Sequence, residues 1–271
     1  MKKTTKALSL FFALLMVVLS FAACSSSKED WEYIENRKKM VIGYTLFQPM
    51  NYKDDDGKLV GFDTEFAEAV CAELAITPEF VQINWDTKTT ELKSKKIDAI
   101  WNGFTVTEER KKEFDFSVPY VVNKQVAVVK KERADEFKTI ENLATAKLTA
   151  ETKSAGESAI QGDEKLKDAD YISVEFQTDA LLEVKSGTSD VAVIDYTMAK
   201  SMLSEGSDYS DLMIVEGLEL SPEEYAVGFR KDSPVTLEKV NAAIETLAES
   251  GKLGEIAAKY NLGEELADNL K

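Results

Sequence analysis

Residues 92–110 read LKSKKIDAIWNGFTVTEER. The lysine-rich start completes a helical pattern over residues 89–95, the apolar run at 97–101 is strand-like, and the acidic end is a helix start. Outward from there the alternation recurs, with strand-like runs at 40–43 and 79–83. A helical pattern at 63–74 begins with Asp63, a good N-cap, and carries Glu65 and Glu68 near the positive end of the helix. Strands alternating with helices argue for an α/β fold built from crossover units. A second group of elements runs from residue 147 through a strand at 190–194. Near the C-terminus Leu237, Val240, Ile244 and Leu247 form an amphipathic stripe closed by Gly251.

The N-terminus stands apart from this pattern. Lys2, Lys3 and Lys6 precede an uncharged apolar run at 7–18 and the small residues Ala22 and Ala23, the layout of a secretory signal peptide over residues 1–23. Phe21-Ala22-Ala23-Cys24 resembles a bacterial lipobox, although Phe21 stands where Leu, Val or Ile is usual. An ordinary cleaved signal beside an incidental cysteine is the alternative. On the lipobox reading Cys24 carries lipid, and residues 24–30, serine-rich at 25–27, form a tether. The roughly 250 residues that remain fit two small lobes better than one core.

Lysine and arginine number 33 against 49 acids, a net charge of −16 that becomes about −19 once the three lysines of residues 1–23 are removed. A polyanion is a poor nucleic-acid binder. It is also repelled by anionic lipid, so membrane attachment rests on the covalent anchor alone. Cys71 shares an apolar helical stripe with Phe66, Ala67, Val70 and Leu74 and reads as a small buried hydrophobe. The chain contains no histidine, which removes the commonest base, triad and metal-ligand combinations. Neither catalysis nor a cofactor is expected.

Thr107 is placed to cap a helix whose first turn carries Glu108 and Glu109, with Arg110 projecting from the same turn. Exposed amides, a hydroxyl and a guanidinium make a carboxylate receptor, because bidentate charge-assisted hydrogen bonds suit its planar oxygens. A surface arginine paired with Glu113 or Asp115 is the plainer alternative. A bound ammonium would in turn need a fixed anion, since burying a cation unpaired costs on the order of several kcal/mol. Asp195 closes the strand at 190–194 and is the candidate; Asp190 opens the same strand and reads as solvated or structural.

Six motifs in order carry a family resemblance: GFDTEFAEAV from Gly61, LKSKKIDAIWNGFTVTEER from Leu92, DFSVPY from Asp115, DVAVIDY from Asp190, YAVGFRKDS from Tyr225 and GKLGEIAAKY from Gly251. The chain resembles the polar amino-acid-binding family of bacterial periplasmic substrate-binding proteins of ABC transporters, in lipoprotein form. The resemblance implies a two-lobe, type II periplasmic-binding-protein fold, with two mixed sheets flanked by helices and joined by two hinge strands. Lobe 1 would span 31–122 and 224–271, and lobe 2 would span 123–223. It further implies a monomeric extracytoplasmic protein, lipid-anchored to the cell membrane, that captures an amino acid and delivers it to an ABC import permease and its ATPase.

By the same resemblance, Thr105 and Arg110 hold the ligand α-carboxylate, and Asp195 and the Gly103 carbonyl take its α-ammonium. Phe47 and Trp85 sandwich its side chain, with core packing as their alternative. The chain departs from the family in two places. The loop at 43–49 is a residue shorter, with Tyr44 where polar residues are common. In AETKSAGES from Ala150, Lys153 replaces a glycine and Ala155 a hydroxyl residue, and lysine does not adopt φ > 0 as cheaply as glycine. Ser154 is kept as a carboxylate contact, with Thr152 as a substitute. Trp101, Asn102 and Gln48 sit beside the expected pocket, and Asn102 points to a polar ligand, glutamine-like or cystine-like. Dehydratases share this fold and would need a buried glutamate or lysine as acid or base; a ligand-sensing module is the other alternative.

Overall fold

The computed structural model describes residues 30–271, so the expected signal segment 1–23, Cys24 and all but the last residue of the tether lie outside them. That last tether residue, Asp30, already opens helix α1 (Asp30–Arg37) and accepts a 2.5 Å hydrogen bond from Arg230 Nε.

Strands β1 (Lys39–Tyr44), β4 (Thr77–Gln82), β5 (Ala99–Ile100), β6 (Phe114–Phe116) and β12 (Gly228–Arg230) form one five-stranded sheet in the order β4-β1-β5-β12-β6. Its first three strands are parallel, and β12 pairs antiparallel with both neighbours. A short hairpin, β2 (Tyr52–Lys53) and β3 (Leu59–Val60), leads into helix α2 (Phe62–Glu73). The pleat sends Met40 and Ile42 into one core with Phe62, Phe66, Val240 and Ile244, while Val41 enters another with Ile83, Ile97 and Phe104. Strands covered on both faces need such continuous apolar runs, and each fully buried Phe or Leu stabilises by about 1.5–3 kcal/mol. Helices α2, α9 (Pro234–Glu249) and α10 (Lys252–Lys259) supply the first face, and α3 (Lys88–Lys93) adds Leu92 to the second. Gly251, between α9 and α10, takes φ 77° and ends the long helix where the stripe runs out.

The second sheet has the order β11-β7-β10-β8-β9, from β7 (Val121–Lys130), β8 (Lys147–Glu151), β9 (Asp170–Val174), β10 (Val191–Asp195) and β11 (Leu212–Tyr225). Around it lie α5 (Ile140–Leu143), α6 (Ala155–Gly162), α7 (Gln177–Ser186) and α8 (Tyr196–Met202). Leu148, Ile160, Val191 and Val193 form its own core. The chain passes between the sheets twice, from β6 into β7 and from β11 into β12, and these hinge strands pair antiparallel from Val121↔Tyr225. The protein is thus an α/β molecule of two lobes, and the expected boundaries at 122/123 and 223/224 fall inside the crossing strands.

Asp63 does not cap its helix. Gly61 holds the N-cap position at φ 131°, where a Cβ would lie 2.2 Å from the Met50 carbonyl oxygen. One residue inside the helix, Asp63 is turned into the core and accepts from Gly103 N (2.6 Å) and the Tyr120 hydroxyl (3.0 Å); burial pushes its carboxyl up to about 7. Cys71 is fully buried and its thiol is pushed up to about 12 by that burial. Asp190 is structural: it pairs with Arg133 and accepts from Lys147 N at 2.9 Å.

Candidate ligand-binding site

One cleft between the lobes brings together Phe47, Trp85, Gly103, Thr105 and Arg110 from lobe 1 with Ser154 and Asp195 from lobe 2. It is closed on itself. On one side Lys153 Nζ meets Asp86 Oδ1 at 2.5 Å, and Lys88 Nζ donates to the Lys153 carbonyl at 3.3 Å. On another side Lys200 of lobe 2 pairs with Glu265 of lobe 1 at 2.5 Å.

Thr107 Oγ1 accepts from Arg110 N at 3.0 Å, but helix α4 (Arg110–Glu113) is a single turn with Glu109 at its N-cap position, so Thr107 and the two expected first-turn acids, Glu108 and Glu109, precede the helix. Glu113 and Asp115 are taken by Lys93 and Lys231, so Arg110 turns inward. Its guanidinium donates to Thr105 O (2.8 Å) and Lys153 O (3.3 Å) and lies 4.7 Å over the Phe104 ring. Gly103 sits at φ 54°, and a Cβ there would meet Phe47 Cε1 at 2.5 Å and Tyr225 Cε2 at 3.1 Å, so the close approach of this loop to the aromatic wall requires glycine. Phe47 and Trp85 present ring walls braced edge-on by Tyr225 and Phe104.

Asp195, at the end of β10, is buried and accepts from Asn123 Nδ2 (2.7 Å), the Tyr225 hydroxyl (2.5 Å) and Gln177 Nε2 (2.6 Å). Behind it Glu223 accepts from Asn123, Gln125 and the Thr105 hydroxyl. Both carboxyls are pushed up by burial, Glu223 to about 8 with the Asp195 charge as a further cause.

The departure at 150–158 is resolved by the turn itself. Lys153 adopts φ 56°, in the left-handed region, with its N bonded to Glu157 Oε2 (2.7 Å). Ser154 caps α6 by accepting from Glu157 N at 3.1 Å and still lines the cleft. Thr152 donates to Val174 O at 3.0 Å on the far side of β8 and is no substitute.

The three side-chain selectors expected from sequence are corrected. Asn102 lines the cleft, but its amide is spent: Oδ1 accepts from Thr45 N (3.1 Å) and Oγ1 (2.7 Å), and Nδ2 donates to Thr45 O (2.9 Å) and Asn51 Oδ1 (2.8 Å). With four partners it has nothing left to read a ligand amide. Trp101 is fully buried, edge-on to Phe66 at 5.3 Å. Gln48 lines a different cavity, with Thr197 and Tyr260.

Sequence reading missed Glu151, Gln177, Leu46 and Met198, all of which line the cleft. The only signal for Glu151 was an acid closing the strand of Leu148, Thr149 and Ala150. It is buried, its carboxyl is pushed up to about 8 by burial and then by Asp195, and Lys88 and Arg110 act in the opposite sense. Lys88 is itself pushed down to about 7 by burial and then by Arg110. No group of three or more metal-ligating side chains, and no helix long and apolar enough to cross a membrane, occurs among the described residues.

Two α/β lobes joined by two hinge strands and closed over a charged cleft define a binding protein of the type II periplasmic class. The chain belongs to family 3 of the bacterial extracellular solute-binding proteins, whose model matches residues 40–264. It is 27% identical to the L-cystine-binding protein TcyJ of Escherichia coli (strain K12), over 84% of each chain. It is 29% identical to the arginine-binding extracellular protein ArtP of Bacillus subtilis (strain 168), over 92% of this chain and 95% of that one. A solved substrate-binding protein of an ABC uptake transporter from Streptococcus pneumoniae, with bound histidine, superposes with a TM-score of 0.82 at 31% identity, over 90% of this chain and 100% of that one. This is the polar amino-acid-binding family that the six motifs resemble.

Proposed function

We propose that the cleft captures one free amino acid and that its closed form is what an ABC import permease and its ATPase recognise. One observation carries the reading: a guanidinium of lobe 1, Arg110, and a carboxylate of lobe 2, Asp195, line the same cleft between aromatic walls, which matches the two charges of a zwitterion. Arg110 and Ser154 take the α-carboxylate, with Thr105 serving through its main-chain N because its hydroxyl proton goes to Glu223; Asp195 and the Gly103 carbonyl take the α-ammonium; Phe47 and Trp85 flank the side chain. A ligand that touches both lobes stabilises the closed arrangement selectively.

In this reading residues 1–23 direct export and Cys24 carries the lipid that holds a monomer at the outer face of the cell membrane. Lobe 1 comprises 31–122 and 224–271, and lobe 2 comprises 123–223. Acyl mass on Cys24 of the membrane-extracted protein supports the anchor, and its absence removes it. A dehydratase on the same fold would use Glu151, the buried acid of the cleft, as its proton donor; ligand recovered unchanged after incubation separates binder from enzyme. The decisive test is a thermal-shift screen of the purified protein against the L-amino acids and cystine. At least one should raise the melting temperature by several degrees, as saturation at about 100 Kd contributes about 2.7 kcal/mol. A flat response to all of them overturns the reading.

A further inference from the structure

Two acids line the cleft, and only one is satisfied. Asp195 accepts three side-chain hydrogen bonds, whereas the Glu151 carboxylate has no hydrogen bond or ion pair among the described residues, although the residue is 5% exposed. A buried carboxylate without a partner is costly, and such groups are found paired or neutralised. The nearest protein cations are already engaged. Lys88 Nζ donates to the carbonyls of Trp85 (3.0 Å) and Lys153 (3.3 Å), and Arg110 donates to those of Thr105 and Lys153.

Arg110 and Asp195 match the α-carboxylate and the α-ammonium of a zwitterion and leave Glu151, which lines the same cleft, without a partner. A ligand whose side chain carries a second cation supplies one. Leu46, Met198 and the rings of Phe47 and Trp85 line the same cleft, surfaces that suit a flexible methylene stem.

We infer that Glu151 is the specificity-determining residue of this cleft, and that the ligand is an amino acid whose side chain ends in a guanidinium or an ammonium. This rests on the cleft being an amino-acid site, and it replaces the amide reader expected at Asn102 with an acid on the opposite lobe. Asp195 keeps the α-ammonium and Glu151 takes the distal cation.

The test pairs ligands of nearly equal shape and different charge. Calorimetry with the purified protein should show L-arginine binding at least about tenfold tighter than L-citrulline, or L-lysine at least about tenfold tighter than L-norleucine. Glu151→Gln should remove that preference by weakening the cationic member of the pair far more than the neutral one, because glutamine keeps the shape of the side chain and cannot ionise beside a cation. Which of the two pairs responds separates guanidinium from ammonium. Equal affinity of the wild type for both members of both pairs overturns the proposal, whatever the variant does. Equal weakening of charged and neutral ligands by Glu151→Gln also overturns it, because Glu151 would then serve the α-ammonium common to all. Both results leave the amino-acid site standing. If no amino acid binds at all, the site reading and the specificity reading fall together.

Discussion

Arg110 of lobe 1 donates through Nη2 to the main-chain carbonyl of Lys153 in lobe 2, at 3.3 Å. The residue expected to hold the ligand carboxylate therefore also holds the opposite lobe, and the turn that receives it is the one where Lys153 stands in the left-handed region, at φ 56°. Because the acceptor is backbone, the contact survives any side chain at 153. What the side chain adds is the ion pair with Asp86, whose partners are 60% and 46% exposed.

Lys153→Gly sets two small effects against each other. Relief of the left-handed conformation is worth about 1–2 kcal/mol, and an exposed ion pair contributes about 0–1 kcal/mol. Lys153→Gly should be at least as stable as the wild type and Lys153→Ala less stable than both, since alanine keeps the strain and lacks the pair. Thermal melts of the three proteins decide; a glycine variant melting below the alanine variant would show that φ 56° carries no strain here.

Arg110→Ala removes a charge-assisted donor pair from a desolvated cleft and should weaken ligand binding by about 2–5 kcal/mol. Folding should persist, because the lobes keep the Lys153–Asp86 and Lys200–Glu265 pairs. An unchanged affinity in calorimetry would move the α-carboxylate to another residue.

Asp195→Asn should damage the empty protein as well as the complex. The two oxygens of Asp195 accept from the amide nitrogens of Asn123 and Gln177. Neither amide can flip without loss, because Asn123 Oδ1 accepts from Thr197 N (3.2 Å) and Gln177 Oε1 from Asp195 N (3.1 Å). Whichever way the new amide is placed, one NH2 faces another. The ligand-free variant should lose about 1–3 kcal/mol, and ligand affinity should fall at least about tenfold, or ~1.4 kcal/mol. A ligand-free melt identical to the wild type would contradict the network; an identical affinity would contradict the ammonium role.

Stability without ligand should fall as pH rises from about 5 to about 7. Asp63, Glu151 and Glu223 have folded values near 7, 8 and 8, above the ordinary carboxylate range. In that window the folded state binds more protons than the unfolded chain, so the slope is negative, on the order of 1 kcal/mol per pH unit for each carboxyl. Lys88, pushed down to about 7, acts in the opposite sense above that pH. Melting temperatures that rise between pH 5 and 7 would mean these carboxyls are ionised in the folded protein.

Apolar periodicity was enough to read an α/β fold and the burial of Cys71, and chain length favoured two lobes; the set of seven residues that the fold gathers into one cleft came from the family resemblance. The first features follow from local order: an alternating or helical stripe declares its buried face wherever the chain places it. Partner choice is different, because it depends on segments that are remote in sequence. Asp63 looked like a cap until packing placed it against Gly103, 40 residues away. Asn102 looked free to read a ligand until the loop containing Thr45 and Asn51, 57 and 51 residues away, took its whole amide. Glu151 looked like any strand-end acid until the closed lobes buried it without a partner. The sequence alone determined which segments form the lobes and which residue types rim the cleft; only the tertiary structure decided which polar groups are spent on the protein and which are left for a ligand, because a hydrogen bond is directional and its partner is chosen by packing in three dimensions.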